Sequence, residues 1–458
     1  MQTSTLSQSS LAPAATGLIT FEGARVARSA YSAKYRTLSV RGRLVENVSM
    51  PGVGEVLRLP GDGVTINLSG FMVFPGLINA HDHLDFSVFP RMGQGPYPSW
   101  REWSTDIHRS EESRIAESLR VPLETRLSFG GIRNLISGVT TVSHHNPFLD
   151  QVFRGDFPVH VPHGYGWAHS LAEIHKVVER FVQTPPGWPF ILHLAEGTDQ
   201  ASQREFDVLE HLVPLNEHLM LVHCVGLTPA QWETAVNSGT GIVWCPSSNL
   251  YTLGKTLAAE QILKLPNVAL GTDSPLTAAG DLLDEIRFVH EELGVPARFV
   301  YDLVTTKAAR LLRLRNGEGN LQTGSKADLI IARDRHHTPA EALIQMSWRD
   351  IELVMEQGRI TMLSASLAER IPVELKEGME RIFVDGVGRL IRAPVQKLLE
   401  QACLSLERTP SIGGRKLALT EANSRPDCGH QPSLERSPIA TRNDYFSPEV
   451  MNLRDDCH

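Results

Sequence analysis

The stretch Pro75-Gly76-Leu77-Ile78-Asn79-Ala80-His81-Asp82-His83-Leu84 decides the fold. An apolar run follows a Pro-Gly turn and reads as a strand ending in two histidines one residue apart. Strand side chains alternate with period two, so His81 and His83 project from the same face. Two imidazoles on one face at a strand terminus form the first half of a metal site. For H-x-H alone a chance pair is the competing reading. The turn and the apolar strand before it favour the ligands.

Other runs end in the same way. Phe190-Ile191-Leu192-His193-Leu194-Ala195-Glu196 is an apolar strand that delivers His193, with Glu196 just beyond it. His193 can be a third ligand, while Glu196 in the loop is placed to meet a substrate. Leu219-Met220-Leu221-Val222-His223-Cys224 ends in His223, and Val268-Ala269-Leu270-Gly271-Thr272-Asp273-Ser274 ends in Asp273. A lone strand-end Asp is otherwise a turn or a helix cap. Taken together, separate strands each present a His or Asp at the C-terminal end, where parallel barrels converge their catalytic groups.

The texture around these motifs agrees. Short apolar runs at 71–78, 139–143, 158–161, 190–194, 219–222, 241–244 and 268–270 alternate with helical stretches, the pattern of βα units and a parallel sheet. Short β segments flank this core at 17–21, 36–40, 55–59 and 64–68, and again at 327–332, 351–355 and 359–362. A helix-prone stretch then runs to about residue 406. The expected organisation is a polar tail at 1–16, a composite β-sandwich from 17–72 and 319–400, a catalytic barrel at 73–318, and a disordered tail at 409–458.

PGLINAHDH, HLAE, LVHC, CPSSN and LGTDS, in this order, resemble the amidohydrolase superfamily. The HLAE form resembles its aminohydrolase branch, with the cytosine, guanine and S-adenosylhomocysteine deaminases and the triazine hydrolases. Gly324-Ser325-Lys326-Ala327-Asp328-Leu329-Ile330 resembles the family's re-entry into its β-sandwich. The resemblance implies a TIM-like (β/α)8 barrel and one divalent metal, zinc or alternatively iron, held by His81, His83, His193 and Asp273. It implies that His223 stands beside the attacking water, that Glu196 shuttles protons and that Asp273 takes the water's first proton. Metal binding lowers the pKa of water from about 15.7 to near 7, which supplies hydroxide at neutral pH. Binuclear members use a Lys at a mid-barrel strand. Lys176 and Lys264 lie in helical stretches, so a mononuclear centre is expected.

Four further residues are candidates for substrate contacts: His145 and His163 after strands, Asn249 in CPSSN, and Trp103 in the loop after the first strand. Structural histidines, an Asx-capped turn and lid packing are their competing readings. Only about 110 residues separate His83 from His193, where three more βα units belong. Either one unit is abbreviated to strand and loop, or the barrel is distorted or short of a strand.

The expected function is hydrolysis of a C–N bond in a small nitrogen heterocycle, with release of ammonia. Opening of a cyclic amide, loss of another leaving group and a catalytically silent ligand-binding barrel are the alternatives. Lys and Arg number 44 against 52 Asp and Glu, a net of −8 that argues against nucleic acid. No apolar run approaches a membrane span of about 18–20 residues. The five cysteines are an odd number with no C-x-x-C, which argues against a disulfide framework or a cysteine zinc site. Residues 1–16 lack the basic start and apolar stretch of a signal peptide, so the cytoplasm is the expected location. The resemblance adds a homo-oligomer.

Overall fold

Strands buried on both faces read as continuous apolar runs, and here they assemble into a parallel array. The computed structural model describes residues 17–52, 63–406 and 409–421. Leu77–Asp82, buried throughout, pairs in parallel with Val139–His144. Five more parallel strands follow in sheet order: Gly166–Ala168, Phe190–Leu194, Leu219–His223, Gly241–Trp244 and Val268–Leu270. Helices Leu123–Ile136, Ile174–Gln183, Gln200–Leu212, Pro229–Asn237 and Pro246–Leu253 alternate with them. Backbone N–H groups of Thr272 and Asp273 donate to the His81 carbonyl, which ties the end of the last strand to the first. Ile78, Ala80, Ile191, Met220, Val222 and Val243 share one buried cluster, as the packed interior of a TIM-like barrel requires.

Gly271 shows how tightly this junction is built. A Cβ there would stand 2.7 Å from His81 Cβ and 2.9 Å from its backbone nitrogen, and neither atom is free to yield. Gly271→Ala is therefore expected to cost about 1–3 kcal/mol through overpacking. A lowered Tm checks this.

The expected shortage in the wall between His83 and His193 is visible. After Val139–His144 only the single turn Asp150–Phe153 is helical. Residue 160 bridges Thr141 in parallel, and the chain then passes straight into Gly166–Ala168 with no helix between. The abbreviated unit is thus a strand that follows a strand.

The two β-rich flanks meet in shared sheets. Phe71–Pro75 pairs with Leu329–Arg333 inside a ten-stranded sheet, which also holds Arg25–Ser29 from the N-terminal flank. A second, four-stranded sheet contains Leu18–Glu22, Thr37–Arg41, Leu44–Ser49 and Gly63–Asn67. Phe21, Leu38 and Ile66 of the four-stranded sheet share a core with Leu329, Ile331 and Leu353 of the other. The strand expected at 55–59 lies outside the described residues, as do residues 1–16.

Two expectations at the C-terminal side need correction. The helix-prone reading fails at Glu380–Val384 and Val387–Ile391, an antiparallel hairpin around Asp385-Gly386. Both turn residues have positive φ, the conformation a tight hairpin demands and an Asp-Gly pair supplies. Elsewhere in that stretch Ala365–Ala368, Val373–Lys376 and Val395–Leu406 are helical. The tail expected to be disordered from 409 begins with a further hairpin, Ser411–Ile412 and Arg415–Ala418, paired to Glu380–Val384. Arg415 pins it by pairing with Asp281 at 2.7 Å.

Candidate active site

The strand ends bring His81, His83, His193, His223, Glu196 and Asp273 together. Asp273 Oδ1 lies 3.8 Å from His81 Nε2 and 3.7 Å from His83 Nε2. His81 Nε2 and His193 Nε2 are 3.1 Å apart. His223 Nε2 is 3.6 Å from Glu196 Oε2. Donor atoms of His81, His83 and Asp273 fall within 4.8 Å of one another, as do those of His81, His193 and His223.

Backbone geometry aims these groups. Ala195, His223 and Asp273 have positive φ, as does Cys224, so four of the eight described non-glycine residues in this conformation stand at these strand ends. Such strain persists where the surroundings over-determine it, and it clusters at working sites. Glu205 braces one such turn by accepting from the Ala195 N–H at 2.7 Å and from Arg101 at 2.8 Å.

Hydrogen bonds set the imidazole tautomers. His193 Nδ1–H donates to the His169 carbonyl at 2.9 Å, which leaves Nε2 as a lone pair facing the cluster. His223 Nδ1–H donates to Asn249 Oδ1 at 2.8 Å, and Asn249 is itself fixed through Nδ2 to Thr256. His223 Nε2 is thereby turned toward Glu196. Burial, reinforced by neighbouring histidines, holds His81, His83 and His193 well below the ordinary imidazole range, so they are neutral. Neutral imidazole is the form that binds a metal.

Two donors fix the Asp273 side chain. Ser274 N–H reaches Oδ1 at 2.6 Å, and the Ser248 hydroxyl reaches Oδ2 at 2.6 Å. Burial pushes Glu196 up to about 7, against the pull of His223. It can therefore both hold and release a proton near neutrality. Three neutral imidazoles and one carboxylate converging at C-terminal strand ends suit a divalent metal with nitrogen and oxygen preference. The buried Nδ1 of His81 has no partner within the protein, so nothing competes for that ring's orientation.

Asp82, between the two histidines, points elsewhere. Arg133 holds both its oxygens, at 2.5 and 2.6 Å, and Asn134 adds a bond at 2.7 Å. That network anchors the strand that carries His81 from behind.

The four candidate substrate contacts separate. His145 joins the cluster, its ring 4.2 Å from His193 and 5.0 Å from His81. Asn249 is buried behind His223 and accepts from that ring's Nδ1–H. Trp103 donates its Nε1–H to the Met92 carbonyl, which ties the loop after the first strand to its helix. His163 packs between Phe148 and Trp188 in a different cavity. Two further residues stand near the cluster. His169 packs 5.0 Å from His193, and Trp100, rather than Trp103, meets His169 at 5.6 Å. His169 follows a strand end like the other histidines, but Gly166–Ala168 is only three residues long and leaves no apolar run to read.

A model of the Amidohydrolase family matches residues 165–361. A 5-methylthioadenosine/S-adenosylhomocysteine deaminase of Symbiobacterium thermophilum is 30% identical over 369 residues, covering 64% of this chain and 82% of that protein. A second enzyme of that name, from Syntrophobacter fumaroxidans, is 24% identical over 409 residues, covering 73% and 90%. In fold, the chain is similar to an adenosine deaminase from Xanthomonas campestris with bound zinc, with a TM-score of 0.65 at 17% identity over 85% of this chain and 98% of the other. No helix among the described residues is long and apolar enough to cross a membrane. The converged strand-end cluster and these matches lead to one assignment: the chain belongs to the amidohydrolase family, as a metal-dependent hydrolase of carbon–nitrogen bonds.

Proposed function

We propose that the chain hydrolytically deaminates the purine ring of an adenosine-type nucleoside, with His81, His83, His193 and Asp273 holding one zinc ion. The observation that carries the reaction type is Glu196 facing His223 across the strand-end cluster, with its carboxyl near 7. The ring class is supported by relatives named as 5-methylthioadenosine/S-adenosylhomocysteine deaminases. When bound, a divalent metal supplies Lewis acidity that lowers the pKa of water toward about 7.

The chain's own residues do the rest. Asp273 accepts a proton from the attacking water, its geometry kept by Ser248 and Ser274. Glu196 delivers its proton to the ring nitrogen beside the reacting carbon, and the departing amine takes the proton that Asp273 accepted. Glu196 recovers a proton from the new hydroxyl as the ring-oxo group forms. One C–O bond forms, one C–N bond breaks, and ammonia leaves. His223 presents Nε2 to the developing charge, aimed by Asn249. A cytoplasmic homo-oligomer acting on a small molecule belongs to the same reading, and the family resemblance supports it.

Asn249→Ala is expected to leave metal content unchanged while turnover falls about 10–100-fold, as loss of an orienting partner typically does. Metal analysis beside kcat checks it. The proposal itself is tested by incubating the purified chain with 5′-methylthioadenosine, S-adenosylhomocysteine and adenosine. The expected result is ammonia in a one-to-one ratio with the ring-oxo product. Turnover of a cyclic amide with no ammonia from any nucleoside would overturn it.

A further inference from the structure

The missing helix leaves a cavity. Below the abbreviated wall, between residues 148–163 and the β-rich flank, lies a space of about 380 Å³, within the usual size of small-molecule pockets. None of the strand-end groups of the candidate active site lines it. One wall is aromatic: Phe148 and Phe157 each pack against Phe153, at 5.1 and 5.0 Å between ring centroids, and His163 meets Phe148 at 4.8 Å. The other wall is cationic. Arg43, Arg359 and Arg392 enter from the β-rich flank, and Arg154 closes the helical turn.

Arg154 is paired with Asp150, and two carboxyls of the lining, Asp156 and Glu356, face the remaining three guanidiniums. The excess of positive charge is local, since the whole chain carries −8. Arg392 donates to the carbonyl oxygens of Ile360, Leu375 and Glu377, which orients its guanidinium without cancelling its charge. Asp156 pairs with Arg359 at 2.5 Å, but its side chain is 62% exposed, so the pair is open to exchange with an incoming anion. Burial and Asp328 push Glu356 up to about 7, so its opposing charge is only partly expressed at neutral pH.

We propose that this cavity is a second, non-catalytic binding site for a small flat ring carrying a phosphate or carboxylate. The ring lies on the phenylalanine wall and the anion faces Arg43 and Arg359. A bare ion forgoes the aromatic wall, and a neutral ring forgoes the guanidiniums, so both parts are needed for tight binding. One strand lies between the cavity and the strand-end cluster. His160 N–H donates to the Thr140 carbonyl, and Val142 N–H donates to that of His160, in the strand that leads to His145.

Calorimetric titration of the full chain with phenyl phosphate, benzoate, inorganic phosphate and phenol tests the site. Phenyl phosphate or benzoate is expected to bind at least about tenfold more tightly than inorganic phosphate and phenol. Arg43→Ala and Arg359→Ala should each weaken that binding about tenfold or more. Binding should persist in the His81→Ala/His83→Ala chain, which keeps this test independent of the proposed deamination. Arg43 is exposed, so Arg43→Ala alone decides if Arg359→Ala does not fold. Unchanged affinity in the folded arginine variants, loss of binding in the histidine double variant, or no preference for the aryl anions would overturn the proposal.

Discussion

Glu196→Gln should keep about one metal per chain and lose about a thousandfold or more in turnover, within the range removal of a general acid–base group produces. The substitution preserves size and removes only the titrating proton. Glu196 lies past the strand that carries His193, and its carboxyl faces His223 Nε2 at 3.6 Å, beside the cluster of ring nitrogens. The four proposed ligands, His81, His83, His193 and Asp273, are thus untouched. Burial holds the native carboxyl near 7, where one group can give and retake a proton within a cycle. Metal analysis beside steady-state kinetics checks both halves. Full activity in the variant would remove Glu196 from the mechanism.

His81→Ala/His83→Ala should lose bound metal altogether, and ammonia release should fall to background. Both rings are buried, and both reach toward Asp273 Oδ1 from the first barrel strand. The neighbouring His144→Ala serves as the contrast. His144 turns away from the cluster: its Nδ1 accepts from the Leu84 N–H, and its ring packs on Phe153. That variant should lose about 1–3 kcal/mol of stability, seen as a lower Tm, because a buried donor is left unpaired. Its metal content should stay at wild-type level. Equal metal in the double variant and the wild type would place the metal elsewhere.

The site was legible in the sequence to the extent that each group ends its own strand. His81, His193 and His223 stand at or one residue before the ends of largely apolar strands of five or six residues, long enough to read. Where the strand shrinks, the signal vanishes: Gly166–Ala168 offers no β-branched residue, so His169 behind it went unread. Asn249 shows a different limit. CPSSN marks it as part of the barrel rim, but whether it faces substrate or His223 depends on a contact 26 residues away in the chain. The position of His163 shows the same kind of limit, because without an intervening helix the chain carries that ring into the aromatic wall of the second cavity.

Fold legibility followed burial. The parallel strands, apolar on both faces, announce themselves, as does the return of β texture after the barrel. The hairpin at Glu380–Val384 and Val387–Ile391 was obscured because its strands mix charged and apolar residues, while its Asp-Gly turn carried the information. The Ser411–Ile412 and Arg415–Ala418 hairpin lies in a polar stretch and is anchored by tertiary ion pairs. Arg415 reaches Asp281 and lies over the Trp348 ring, partners that no local pattern shows.

The central claim, that this strand-end cluster binds one metal and uses it to deaminate, is tested most directly by metal add-back. The chain is stripped with a chelator, zinc is returned in steps, and ammonia release from 5′-methylthioadenosine is followed. The account predicts no release from the stripped chain and a rise that saturates at about one zinc per chain. Undiminished release after stripping, or saturation that needs two metals per chain, would contradict it.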